Sequence, residues 1–107
     1  MSLARLMEQN LLLGMLALNQ ERFEDATRYF SRVCVIEPKA PLPCFYLANA
    51  YSELRRYDQA ERAYRQALRN LVGYAATDVL DGVTVAWIRE TCKRLVRSIE
   101  QDRVVSR

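Results

Sequence analysis

Three thiols, at Cys34, Cys44 and Cys92, are the most reactive side chains in this 107-residue chain. None stands in a Cys-x-x-Cys spacing, and there is no histidine with which to complete a mixed zinc site. Each lies in an apolar helical context, where cysteine behaves as a small buried hydrophobe; free thiols of that kind imply a reducing compartment. The 13 Asp and Glu residues scatter along exposed helical faces. With no His, no Gly-rich phosphate loop and no nucleophile paired with a base, the sequence offers no catalytic residues, no metal site and no cofactor site. What remains is recognition through apolar surface, and the question becomes which elements present it.

Those elements follow a repeat. Leu13, Gly14, Ala17, Phe23, Ala26, Phe30 and Val33 are answered 34 positions later by Leu47, Ala48, Tyr51, Tyr57, Ala60, Tyr64 and Ala67. The clearest copy is Arg22 to Ala26 (RFEDA) against Arg56 to Ala60 (RYDQA). A period of this length predicts stacked helical hairpins. The first helix covers residues 3 to 19 with Ser2 as its cap, and its Leu12 to Leu18 run predicts an apolar face covered on more than one side. The second runs from Phe23 to Ile36, with Ala26, Phe30, Val33 and Ile36 on one stripe. Pro38 and the Pro41 to Pro43 segment punctuate the chain, since proline is tolerated only in a helix's first turn. The third helix follows from near Pro41 to Leu54, and the fourth from Tyr57 to Leu71, where Val72 and Gly73 make a left-handed stop.

The periodic residues at this spacing resemble the tetratricopeptide repeat (TPR) family. Leu13, Gly14, Phe23, Ala26, Phe30 and Pro38 fit its pattern in the first repeat, and Leu47, Ala48, Tyr51, Tyr57, Ala60, Tyr64 and Ala67 in the second. Asn10 and Cys44 stand where Trp is usual, Ala17 where Tyr is, and Val72 where the closing Pro belongs. A third copy fails, because Asp81, Arg94 and Ser98 would fall where Leu, Ala and an aromatic are needed. The resemblance implies an all-α fold of two antiparallel hairpins, repeat 1 over about 7–40 and repeat 2 over about 41–73, and a protein that binds another polypeptide. It further implies a concave groove lined by Leu11, Met15 and Leu18 of the first helix and Leu42, Phe45 and Asn49 of the third. Methionine adapts its shape and aromatics give contact area at low entropic cost, so such a groove suits an apolar helix or extended segment of a partner. Asn49 is its one polar member, which excludes the family's carboxylate clamp. Residues 30–37 and 45–51 are similar to the small TPR chaperones of bacterial type III secretion, which implies a secretion-system subunit as partner.

Two repeats are near the minimum for an independent array, so the last third of the chain is needed to cover the second. Residues 74–82 read as a linker, a turn or loop with Thr77, Asp78 and Asp81 as alternative N-caps. A C-terminal helix over about 83–103 follows, with Val85, Ile88, Cys92, Leu95, Val96 and Ile99 on one face, and Val104 to Arg107 as a frayed tail. Trp87 sits off that stripe, at the groove edge or in an interface. The competing reading is a self-associating scaffold, its groove filled by this C-terminal helix or by a second copy in a homodimer. A net charge of +3, with Arg interleaved among Glu and Asp, gives no basic stripe and so no nucleic-acid footprint. No run approaches the roughly 20 apolar residues that span a bilayer, and the Leu11 to Leu18 run lacks a basic flank and a cleavage site. The expectation is a cytoplasmic protein that does not insert into membranes.

Overall fold

The computed structural model describes residues 2–105. Five helices follow in order, α1 (Leu3–Asn19), α2 (Phe23–Ile36), α3 (Pro41–Glu53), α4 (Tyr57–Asn70) and α5 (Val85–Val105), with a short hairpin of β1 (Val79–Leu80) and β2 (Val83–Thr84) before the last. The fold is all-α apart from that hairpin. Each helix packs on the next one in sequence, α1 on α2, α2 on α3, α3 on α4 and α4 on α5, as a stacked array requires.

Local sequence explains the boundaries. Ser2 Oγ accepts from the Arg5 amide and caps α1, while Pro41 opens α3 in the first turn, where its missing N–H costs nothing. α1 and α3 end alike, and in an unusual way. Glu21 and Arg55, 34 apart, both hold positive φ, at 58° and 60°. The following amides, Arg22 and Arg56, reach back to the carbonyls of Ala17 and Tyr51, which closes each helix in a Schellman turn without the customary glycine.

Two apolar clusters form the core. Ala17, Ala26, Phe30 and Ala50 join α1, α2 and α3. Ala48, Ala60, Tyr64, Ala67, Leu71, Val85, Ile88 and Cys92 are among those that join α3, α4 and α5. Phe30 and Tyr64, the repeated aromatics, are fully buried, and burial of such a ring contributes about 2–3 kcal/mol. Phe30 lies directly on Gly14, whose missing Cβ leaves the ring its place. Tyr64 keeps its hydroxyl satisfied by donating to Asn49 Oδ1 at 2.6 Å, with Ser52 Oγ at 3.3 Å. The stripe on α5 completes the second cluster, as an end cap does.

Several expectations need correction. The linker is not an irregular loop: Leu80 pairs with Val83 and Val79 with Thr84 across a two-residue turn. Asp81 and Gly82 both have positive φ, the backbone that an Asp-Gly hairpin turn requires. Val83 therefore belongs to a strand and α5 begins at Val85. Its cap is Thr84, whose Oγ1 accepts from the Trp87 amide, and not Thr77, Asp78 or Asp81. Asp78 instead accepts from the Ala75 amide in the turn before β1. The helix continues through Val105, so Val104 is not in a frayed tail; Ser106 and Arg107 lie outside the described residues. Finally, the apolar face of α1, expected to be covered on more than one side, packs on α2 but is open at Leu12 and Leu16. Leu12 is 73% exposed and Leu16 51%, because nothing among the described residues packs on that side of the helix.

Candidate functional site

A groove of about 480 Å3 opens between α1, the N-terminal part of α3 and the β-hairpin. Met7, Leu11 and Met15 line it from α1, on successive turns of one helix face. The turn between the hairpins supplies Ala40, and α3 adds Pro41, Leu42, Pro43 and Tyr46. Val33 of α2 reaches it from behind, and Tyr74, Leu80 and Asp81 close the far side. Its carboxylates are Glu37 and Asp81, and no Lys or Arg is among its lining residues.

The sequence-derived set divides on this geometry. Leu11, Met15 and Leu42 line the cavity together. Leu18 does not: it is half-buried and packs against the cluster around Phe30. Phe45 is core, only 6% exposed, with its ring among those of Tyr46, Tyr64 and Trp87 at 6.0, 6.3 and 6.1 Å. Asn49 spends its carbonyl oxygen on Tyr64 and is absent from the lining. Trp87 stands edge-to-face with Phe45, is 52% exposed, and is also absent from the lining. α5 does not fill the groove; it lies on α4.

The hairpin wall is the part that periodicity missed. Tyr74, Leu80 and Asp81 fall in the segment read as a linker, a turn or loop, although the Asp81-Gly82 pair between Leu80 and Val83 is itself a hairpin signal. This wall is tied down at three points. Tyr46 donates its hydroxyl to Asp81, and the amides of Val85 and Ala86 bond back to the carbonyls of Asp78 and Ala76. Burial, and then the hydrogen bond to Asp81, push the Tyr46 phenol well above its ordinary value. The groove is thus an apolar trough with an anionic rim.

Among the described residues no helix is long and apolar enough to cross a membrane. Comparison with family models matches residues 41–70, the α3–α4 hairpin, to the tetratricopeptide repeat. No curated protein and no solved structure matches the chain.

Proposed function

We propose, with the α3–α4 hairpin a tetratricopeptide repeat as premise, that this protein holds an apolar helix or extended segment of a partner in the groove beneath its β-hairpin. The repeat is in general a non-catalytic unit of protein–protein interaction, so the coarse function is that of an interaction module. The observation that supports the finer reading is the continuous lining of Met7, Leu11, Met15, Leu42 and Leu80 beside Glu37 and Asp81. Apolar side chains that face water in one trough mark a binding surface, and an anionic rim favours Lys or Arg flanking the bound segment.

The two methionines make the test. A synthetic amphipathic helix with a leucine face flanked by lysines is titrated into protein labelled at its methionine methyls. Met7 and Met15 should shift, and Leu42→Asp should abolish the shifts while helical content is kept, because an acid in the first turn of α3 suits the helix dipole. Binding that leaves both methyls unmoved, or survives Leu42→Asp, would sink the groove reading. A still finer form is a cytoplasmic chaperone that shields an aggregation-prone segment of a secretion-system subunit. That form rests on residues 30–37 and 45–51 alone, and a translocator subunit co-expressed with this protein yet equally insoluble would remove it.

A second reading is favoured by Leu12 and Leu16. They stand 34 positions before Tyr46 and Ala50, the residues through which α3 meets Phe30 and its cluster in the first hairpin. The same face of α1 is bare, and a second copy of the chain would cover it as a homodimer. Sedimentation across concentration decides this: Leu12→Glu with Leu16→Glu should turn a dimer into a monomer, and a wild-type protein monomeric at every concentration would exclude it.

A further inference from the structure

Cys34 on α2 and Cys44 on α3 come from different hairpins, yet their sulfurs are 3.7 Å apart. Cys44 is buried in the apolar cluster of α3, α4 and α5, and Cys34 is half-buried against that cluster. Asn70 Nδ2 lies 3.7 Å from the Cys44 sulfur, and a separate cavity of about 290 Å3, lined also by Gln59, Arg62 and Gln66, opens onto both thiols. Leu47, Tyr51 and Ala63 complete its lining, and Cys34 is the more exposed of the two thiols on the side from which a small solute approaches. The two thiols are also unequal. A hydrogen bond from Cys34, helped by the charge of Arg69 and opposed by burial, lowers the Cys44 thiol below its ordinary value; the same contact, with burial, raises Cys34. Cys92 is fully enclosed on α5, and burial alone pushes it up to about 12.

We propose that Cys34 and Cys44 form an oxidisable dithiol, a modification site at which hydrogen peroxide joins α2 to α3 through an intramolecular disulfide. The Cys44 thiolate attacks one peroxide oxygen, the O–O bond breaks, and the departing hydroxide takes up the proton that Cys44 released, leaving as water. Cys44 is then a sulfenic acid. The Cys34 sulfur, losing its proton, attacks the Cys44 sulfur; the S–O bond breaks and hydroxide leaves with that proton as a second water. Two thiols have lost two electrons and two protons, and the peroxide has accepted them. Closing from contact to the ~2.05 Å bond needs a relative movement of under ~2 Å. The bond would bracket the turn whose Glu37, Ala40, Pro41 and Leu42 line the groove.

The test needs only the reduced wild-type protein, a stoichiometric dose of hydrogen peroxide, and mass spectrometry after alkylation in denaturant. The expected product is a monomer lighter by about 2 Da, with one alkylatable thiol, Cys92, reacting at least ~10-fold more slowly with peroxide than the pair. Cleavage after Arg32, Lys39 and Arg55 places Cys34 and Cys44 on separate peptides, which should appear linked and separate again on reduction. In Cys34→Ser the Cys44 sulfenic acid should accumulate and be trapped by dimedone. Three alkylatable thiols after peroxide, a bond to Cys92 or to a second chain, or Cys44 driven to sulfinic acid in the wild type would each overturn the proposal.

Discussion

The hydroxyl of Tyr46, midway along α3, donates to the carboxylate of Asp81 at the tip of the β-hairpin, and so fixes the groove's far wall to its floor. A hairpin with two residues in each strand cannot hold its shape unaided.

Tyr46→Phe should therefore cost about 1 kcal/mol in global stability and speed amide exchange at Leu80 and Val83 by more than that loss accounts for. Unchanged exchange there would mean that the hairpin is held without this bond. The phenol also predicts an alkaline effect. Its folded pKa is raised above the unfolded value near ~10, so its contribution is complete below that pH and is lost as pH rises through the folded value. Tyr46→Phe should flatten the fall in stability above pH ~10.

Gly14→Ala should destabilise, against the usual gain of about 1 kcal/mol for that change in a helix. A Cβ at residue 14 would come to 2.7 Å from the Phe30 ring, which is fully buried and cannot swing away. Overpacking of this kind costs about 1–3 kcal/mol, so the net should be a modest fall in thermal midpoint. A rise would show that the ring has found another seat.

Arg55→Gly, at φ 60°, should stabilise by about 0.5–1 kcal/mol, because a side chain is disfavoured in the left-handed region and the residue's turn role is carried by backbone. Glu21→Gly, at φ 58° in the equivalent turn, should do the same, and the two gains should add in a denaturant titration. A loss at either site would mean that its side chain does more than close the turn.

The α4–α5 contact should weaken in acid. Glu61, with its side chain 12% exposed, has Arg103 Nη1 at 2.8 Å and Arg65 Nη2 at 3.2 Å. Burial raises its carboxyl, but the two guanidiniums outweigh burial and hold it below its ordinary 4.5. A depressed folded pKa contributes stability that is present above the unfolded value and lost as pH falls through the folded one. Thermal stability should decline below pH ~4.5, and Glu61→Gln should both lower it at neutral pH and flatten that decline. An unaltered acid slope in Glu61→Gln would place the sensitivity elsewhere.

The parts of this fold that were legible in the sequence are those that repeat. Gly14 against Phe30, and Ala48 with Tyr64 in one buried cluster, fix the hairpins, because the same residue types recur at the same offset. The β-hairpin is written once, in strands too short to show a period, and only Asp81-Gly82 announces it. Phe45 was misplaced for a related reason. Its register is that of Leu11, which does line the groove, but its ring packs among Tyr46, Tyr64 and Trp87, and no repeat rule foresees the contact that α5 brings from outside the repeats. Leu12 and Leu16 show the converse: they stand at the register of Tyr46 and Ala50, which face the first hairpin, yet they are exposed, and no repeat rule read on α1 alone distinguishes the two cases.

The two ends of the array are consequently unlike. At one end α5 turns Glu90, Lys93, Arg94 and Arg97 to solvent; at the other, α1 offers Leu12 and Leu16. A surface that stacks head to tail can propagate into a fibre, whereas one that meets only its own copy closes on a two-fold axis and stops. The charged outer face of α5 offers Leu12 and Leu16 no apolar seat, so these two surfaces do not complement each other head to tail.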